Sequence, residues 1–179
     1  MSHRLDSKIW FFLAAALLLC SANCGAPAVE SPKDLPKDLL GARIGMSKDE
    51  AQKSLEQVAV FTREERKRQQ LWKLKQDPHF VDLAIGYDEN ERVRYITAFT
   101  EKKSGKKPML FSSVGDLTKA KAEIVVPHHR YVWEIPAEGD VPPYLVNVYG
   151  DNPETITIYS LAKMPEPFVM PSEANTSQK

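Results

Sequence analysis

The chain has 179 residues, with 24 Lys plus Arg against 24 Asp plus Glu, so its formal charge is zero. That balance excludes a general nucleic-acid binder, which carries a basic excess; two Cys and four His leave little material for a metal cluster. Thirteen Pro and eight Gly argue against a mostly helical bundle.

Residues 1–24 read as an export signal. Arg4 and Lys8 make a basic start, and Ile9 to Leu19 is an unbroken apolar run. At a helical rise this run spans roughly 16 Å, about half a bilayer core, which suits a signal and is too short for a permanent span. Cys24 follows Ser21-Ala22-Asn23 and precedes a Pro-rich stretch, an arrangement that resembles bacterial lipoproteins, with Cys24 as the lipid attachment point. Asn23 stands where such proteins have Gly or Ala, so ordinary cleavage after Ala22 or Cys24 is the alternative. Either cut near Cys24 takes Cys20 out of the folded part and leaves no pair for a disulfide. Residues 25–38, with Pro27, Pro32 and Pro36, form a flexible tether.

Ser47-Lys48-Asp49-Glu50 opens a helix over about 48–57: Ser47 and Glu50 suit a reciprocal cap, and Met46 can pack on Ala51. Ala51, Leu55 and Val58 make one apolar stripe. Residues 69–75 place Trp72 and Leu74 on one side of a strand. Residues 81–87 and 92–99 flank the turn Asp88–Glu91 as a hairpin. One face of it carries Val81, Leu83, Ile85, Tyr87, Val93, Tyr95, Thr97 and Phe99, and the side with Asp82, Gly86, Arg92 and Arg94 meets water.

The pattern repeats. Residues 101–107 are a charged linker, and 112–124 allow a second short helix that Gly115 weakens. Tyr131–Ile135 matches the Trp72 strand, and 144–149 and 155–161 flank a turn at Gly150-Asp151-Asn152-Pro153. The expected fold is α+β: two tandem units, 39–103 and 104–164, each a short helix packed on a three-stranded antiparallel sheet, with a disordered tail over 165–179.

The run Ile44-Gly45-Met46-Ser47 with Glu50, followed by a Trp strand and a hairpin with Asp88 in its turn, resembles the BamE/SmpA outer-membrane assembly lipoproteins and the related tandem β-lactamase inhibitory protein. The resemblance covers residues 44–58 and runs more loosely to 99; the second unit lacks the Gly-Met-Ser opening. It implies an exported protein that pairs helices with small antiparallel sheets and acts by binding other proteins. It transfers no partner and no contact residue.

No catalytic motif stands out: there is no G-x-S-x-G, P-loop, dinucleotide fingerprint or HExxH. His128 and His129 are adjacent, so on a strand they point to opposite faces and suit surface positions better than one metal. Catalytic residues, metals and cofactors are therefore expected to be none. The candidate partner-binding residues are Arg63, Arg66, Lys67 and Arg68, a basic docking run, together with Tyr149 and Tyr159, the strand tyrosines best placed for exposure. The sequence points to a non-enzymatic envelope protein at the periplasmic face of a membrane, or secreted, that binds another envelope protein, with the membrane itself held through a lipid on Cys24. A module for small ligands or cell-wall fragments, with a pocket lined by Trp or Tyr, is the alternative. A hydrolase using His128 or His129 is a third.

Overall fold

The computed structural model describes residues 35–65, 68–101 and 104–165. The export segment with Cys24, the tether as far as residue 34, Arg66, Lys67, Lys102, Lys103 and the tail from 166 lie outside the described residues. In chain order come helix α1 (Lys48–Val58) and strands β1 (Ala59–Glu65), β2 (Gln69–Leu74), β3 (Asp82–Tyr87), β4 (Val93–Phe99) and β5 (Met109–Leu110). Two 3-10 turns, Phe111–Ser113 and Leu117–Lys119, precede β6 (Lys121–Val125), β7 (His128–Ile135), β8 (Tyr144–Gly150), β9 (Thr155–Ile156) and β10 (Ile158–Lys163).

Ser47 starts α1 with a capping box: its Oγ accepts from the Glu50 N–H at 3.4 Å, and its own N–H donates to Glu50 Oε2 at 3.1 Å. The cap is tied to the sheet, because the Val93 N–H donates to the Met46 carbonyl at 2.8 Å. Ala51 and Leu55 are the buried residues of α1; truncating a buried Leu such as Leu55 to Ala costs about 2–5 kcal/mol.

The expected pair of three-stranded units is corrected by the strand order. One eight-stranded antiparallel sheet runs β1-β2-β3-β4-β10-β8-β7-β6, with β5 and β9 as a separate two-stranded piece. Its centre is the β4–β10 pairing, Ile158 to Ala162 against Phe99 to Tyr95. The start of the charge run before Trp72, Arg63 to Glu65, is the end of strand β1, which is in register with β2 from Ala59–Leu74 to Glu65–Gln69.

The second helix does not form. Gly115 separates the two 3-10 turns, and a Cβ there would stand 2.6 Å from Leu35 Cδ2 and 3.5 Å from the Trp133 ring. That close approach needs glycine, which is a poor helix residue. Beyond it, Ile124, Val125 and Val126 are β-branched, and Val126 precedes Pro127, which disfavours helical backbone. They form β6 and its hairpin to β7 instead.

Two rows of side chains build the core across the sheet. Trp72, Leu83, Ala98, Tyr159, Val148 and Tyr131 are successive cross-strand neighbours; Gln70, Ile85, Ile96, Leu161, Val146 and Trp133 form the next row. Leu39, Ile44, Leu55, Phe111 and Val114 close over them. Gln70 is the buried polar residue of these rows, and its Oε1 accepts from the Tyr87 hydroxyl at 3.1 Å.

The hydrophobic phase of β4 also corrects the expectation. Ile96 and Ala98 are fully buried, while Tyr95, Thr97 and Phe99 turn to the other side. A register shift at Gly86/Tyr87 lets Val93 face the core with Ile96, three residues on.

Candidate functional site

The side of the sheet opposite the core is a broad surface. Its middle row is Leu71, Ala84, Thr97, Ser160, Asn147 and Val132. Ala84 and Val132 are buried yet stand apart from the main core cluster. Beside this row lie Lys73, Asp82, Phe99, Ile158, Tyr149 and Arg130. On the other flank Gly86 and Tyr95 lead to Ala162 and Leu145. Among the described residues no helix lies on this face; α1 sits on the core side with Ala51 and Leu55 in the core.

Charge on this face is peripheral and mostly paired, with exposed Glu134, opposite Leu145, outside any ion pair among the described residues. Lys73 and Asp82 approach to 3.4 Å at one end. At the other, Arg130 reaches Glu123 at 3.0 Å and Asn147 Oδ1 at 2.8 Å. The middle presents Thr97 and Ser160 hydroxyls between Ala84 and Phe99. A partner docking there would desolvate no isolated charge at the centre and would meet a polar rim, which is how protein interfaces are composed.

Tyr149 is half-buried on this face and stacks on His128, with ring centroids 5.5 Å apart. The Tyr149 hydroxyl meets His128 Nδ1, which also lies 3.5 Å from Asp151 Oδ1. Sequence reasoning treats His128 as a strand-side histidine and misses this cluster. The available signal is the β7–β8 hairpin, which sets His128 beside the end of β8. His129 points to the other side of β7, and its Nδ1 has no hydrogen-bond partner among the described residues. No group of three or more His, Cys, Asp or Glu able to hold a metal occurs among the described residues.

The remaining candidates separate. Tyr159 is buried in the core at 3% exposure, against Phe80, with its hydroxyl unpartnered and its pKa pushed up by burial. Arg63 lies on the edge strand β1, its guanidinium 2.8 Å from Glu65. Arg68 lies in the turn just before β2, 3.4 Å from Glu89. Arg66 and Lys67 lie outside the described residues. The structure thus brings Tyr149 to the open face, Tyr159 to the core and Arg63 to an edge. Arg68 lines an open cleft of about 670 Å³ with Tyr87, Arg94, Tyr95 and Lys163. Both Trp72 and Trp133 are core residues, 3% exposed, and do not line it.

Comparison with protein-family models, with curated proteins and with solved structures finds no match for this chain.

Proposed function

We propose that this is an exported, non-enzymatic envelope protein, held at the membrane by a lipid on Cys24, that works by binding another protein through the open face of its sheet. The observation that carries this reading is the composition of that face: aromatic and small side chains at the centre, paired charges at the ends, and no helix covering it among the described residues. Leu71, Phe99 and Ile158 are half-buried on this face, and a sheet face carrying apolar side chains is usually packed against another layer. The likeness of residues 44–58 to the assembly lipoproteins supports the same reading.

The test is site-specific photo-crosslinking in bacterial cells, with the probe at Thr97 or Tyr149 on the face and at Glu56 on the exposed side of α1. A partner captured from the face and not from Glu56 is the expected result. Capture of nothing from the face overturns the reading. Intact mass of the membrane-purified chain beside Cys24→Ala checks the anchor: diacylglyceryl and acyl mass on Cys24 is expected.

A second reading, binding of a small ligand or cell-wall fragment, is favoured by the cleft at Tyr87 and Tyr95, whose volume is within the range of small-molecule sites. Chemical-shift changes confined to the cleft on adding a peptidoglycan fragment would support it, and an unperturbed spectrum would end it.

A further inference from the structure

Among the described residues, the exposed large apolar side chains other than Leu110 sit at the two edges of the sheet: Val60 and Phe61 on β1 with Val58 just before it, and Ile124 and Val125 on β6 with Val126 just after it. All five residues of β6 are exposed. Edge strands offer unpaired backbone groups, and apolar residues on them favour pairing with another strand. We propose that copies of this chain join head to tail, β6 of one adding antiparallel to β1 of the next.

The direction fits. The sheet holds eight strands with every neighbouring pair antiparallel. Its first and last strands therefore run opposite ways, and a junction of β6 with a second copy's β1 continues the pattern.

The register fits as well. Arg63 and Glu65 oppose Leu71 and Gln69 in β2, so both side chains lie on the open face. Lys121 and Glu123 oppose Val132 and Arg130 in β7, on the same face. Setting Glu123 against Arg63 sets Lys121 against Glu65. The register shift between Phe61 and Arg63 then brings Ile124 to Phe61 on the core side and Val125 to Val60 on the open side. One alignment therefore makes two opposite-charge pairs and two apolar pairs, each with both members on one face. Sliding by one residue mixes the faces. Sliding by two sets Lys121 on Arg63, or Glu123 on Glu65, and like charges directly opposite repel.

The present charge neighbours are local to each edge: Arg63 with Glu65, and Glu123 with Arg130 and Lys121. The junction adds cross-strand partners to both sets. This complementarity between the chain's own edges is the reason to place a second copy there in preference to a foreign strand. The contact is heterologous, so it produces rows or closed rings rather than a two-fold dimer. A single strand pair is a small contact, and assembly rises with concentration.

The experiment is sedimentation velocity of the full chain over a concentration series. Wild type is expected to shift from single chains to larger species as concentration rises. Arg63→Glu alone and Glu123→Arg alone are each expected to weaken association about tenfold, and the double swap in one chain to restore it. Circular dichroism checks that each variant is folded. Where one is not, the swap of Lys121→Glu with Glu65→Lys asks the same question. A wild type that stays single at all concentrations overturns the proposal, as does a folded double swap that fails to restore assembly. Association unaffected by either single variant, or an edge occupied by a different protein, overturns it too.

Discussion

The ring of Tyr95 lies flat over Gly86, its cross-strand partner on the open face: a Cβ at position 86 would stand 2.2 Å from Tyr95 Cε1 and 2.3 Å from Cζ. The Tyr95 hydroxyl reaches one strand further and donates to Gln69 Oε1 at 2.9 Å. One aromatic side chain therefore spans β4, β3 and β2, and only glycine leaves room beneath it.

Gly86→Ala should cost about 1–3 kcal/mol, since the ring must leave its place and the Gln69 bond with it. Urea unfolding measures this. Combining it with Tyr95→Leu should give a loss smaller than the sum of the two single losses, because both act on one contact. Additive losses would mean that Gly86 is required for a reason other than the ring.

The Ser47–Glu50 cap is legible in sequence because both of its bonds are local and three residues apart. The phase of β4 is not. Alternation groups Val93 with Tyr95, Thr97 and Phe99, whereas the register shift at Gly86/Tyr87 turns Ile96 and Ala98 to the core. A bulge leaves no mark in a two-residue periodicity. Strand β6 hides for a different reason: Val114, Leu117 and Ala120 fit a helical stripe, and the close approach of Leu35 to Gly115 that breaks it is a long-range contact. Tyr149 and Tyr159 look alike in sequence. Their sides are set by the pairing of β8 and β10, where Tyr149 opposes Ile158 and Tyr159 opposes Val148. Both strands alternate, so only the assembled core tells which tyrosine it takes.

Ser47→Ala should lower stability by about 1 kcal/mol through loss of the N-cap. The hydrogen bonds from Ser47 hold the Glu50 carboxyl below its ordinary range. A carboxylate with a lowered folded value contributes stability above its unfolded pKa, and that contribution fades as pH falls through the folded value. Ser47→Ala should therefore also flatten the acid limb of stability against pH. Thermal melts of both forms from neutral to acid pH check this, and parallel curves would contradict it.

Burial raises the phenol pKa of Tyr87 and of Tyr159 well above the ordinary value. A tyrosine with a raised folded value contributes stability fully below its unfolded pKa of about 10, and that stability is lost as pH rises towards the folded value. The protein should thus unfold on the alkaline side with release of buried tyrosinate, followed by absorbance. Tyr159→Phe should push this limit upward and leave neutral-pH stability equal or slightly higher, because the hydroxyl has no partner among the described residues. Tyr87→Phe should instead cost about 1 kcal/mol at neutral pH, since Gln70 loses its hydrogen bond.

Thr97 and Ser160 face each other where β4 meets β10, at the middle of the open face. Both are half-buried, and both project away from the core rows. An arginine at Ser160 would extend into the space above the sheet without entering the core, so Ser160→Arg should change stability by no more than about 0.5 kcal/mol. A docked protein would meet that side chain at the centre of its contact, where burying an unpaired charge is most costly. Ser160→Arg should therefore abolish photo-crosslinking from Thr97 and Tyr149 while the melting temperature stays close to that of the wild type. Glu56→Arg on the exposed side of α1, away from this face, should leave crosslinking intact. If Ser160→Arg folds normally and still crosslinks in full, the partner does not sit on this face.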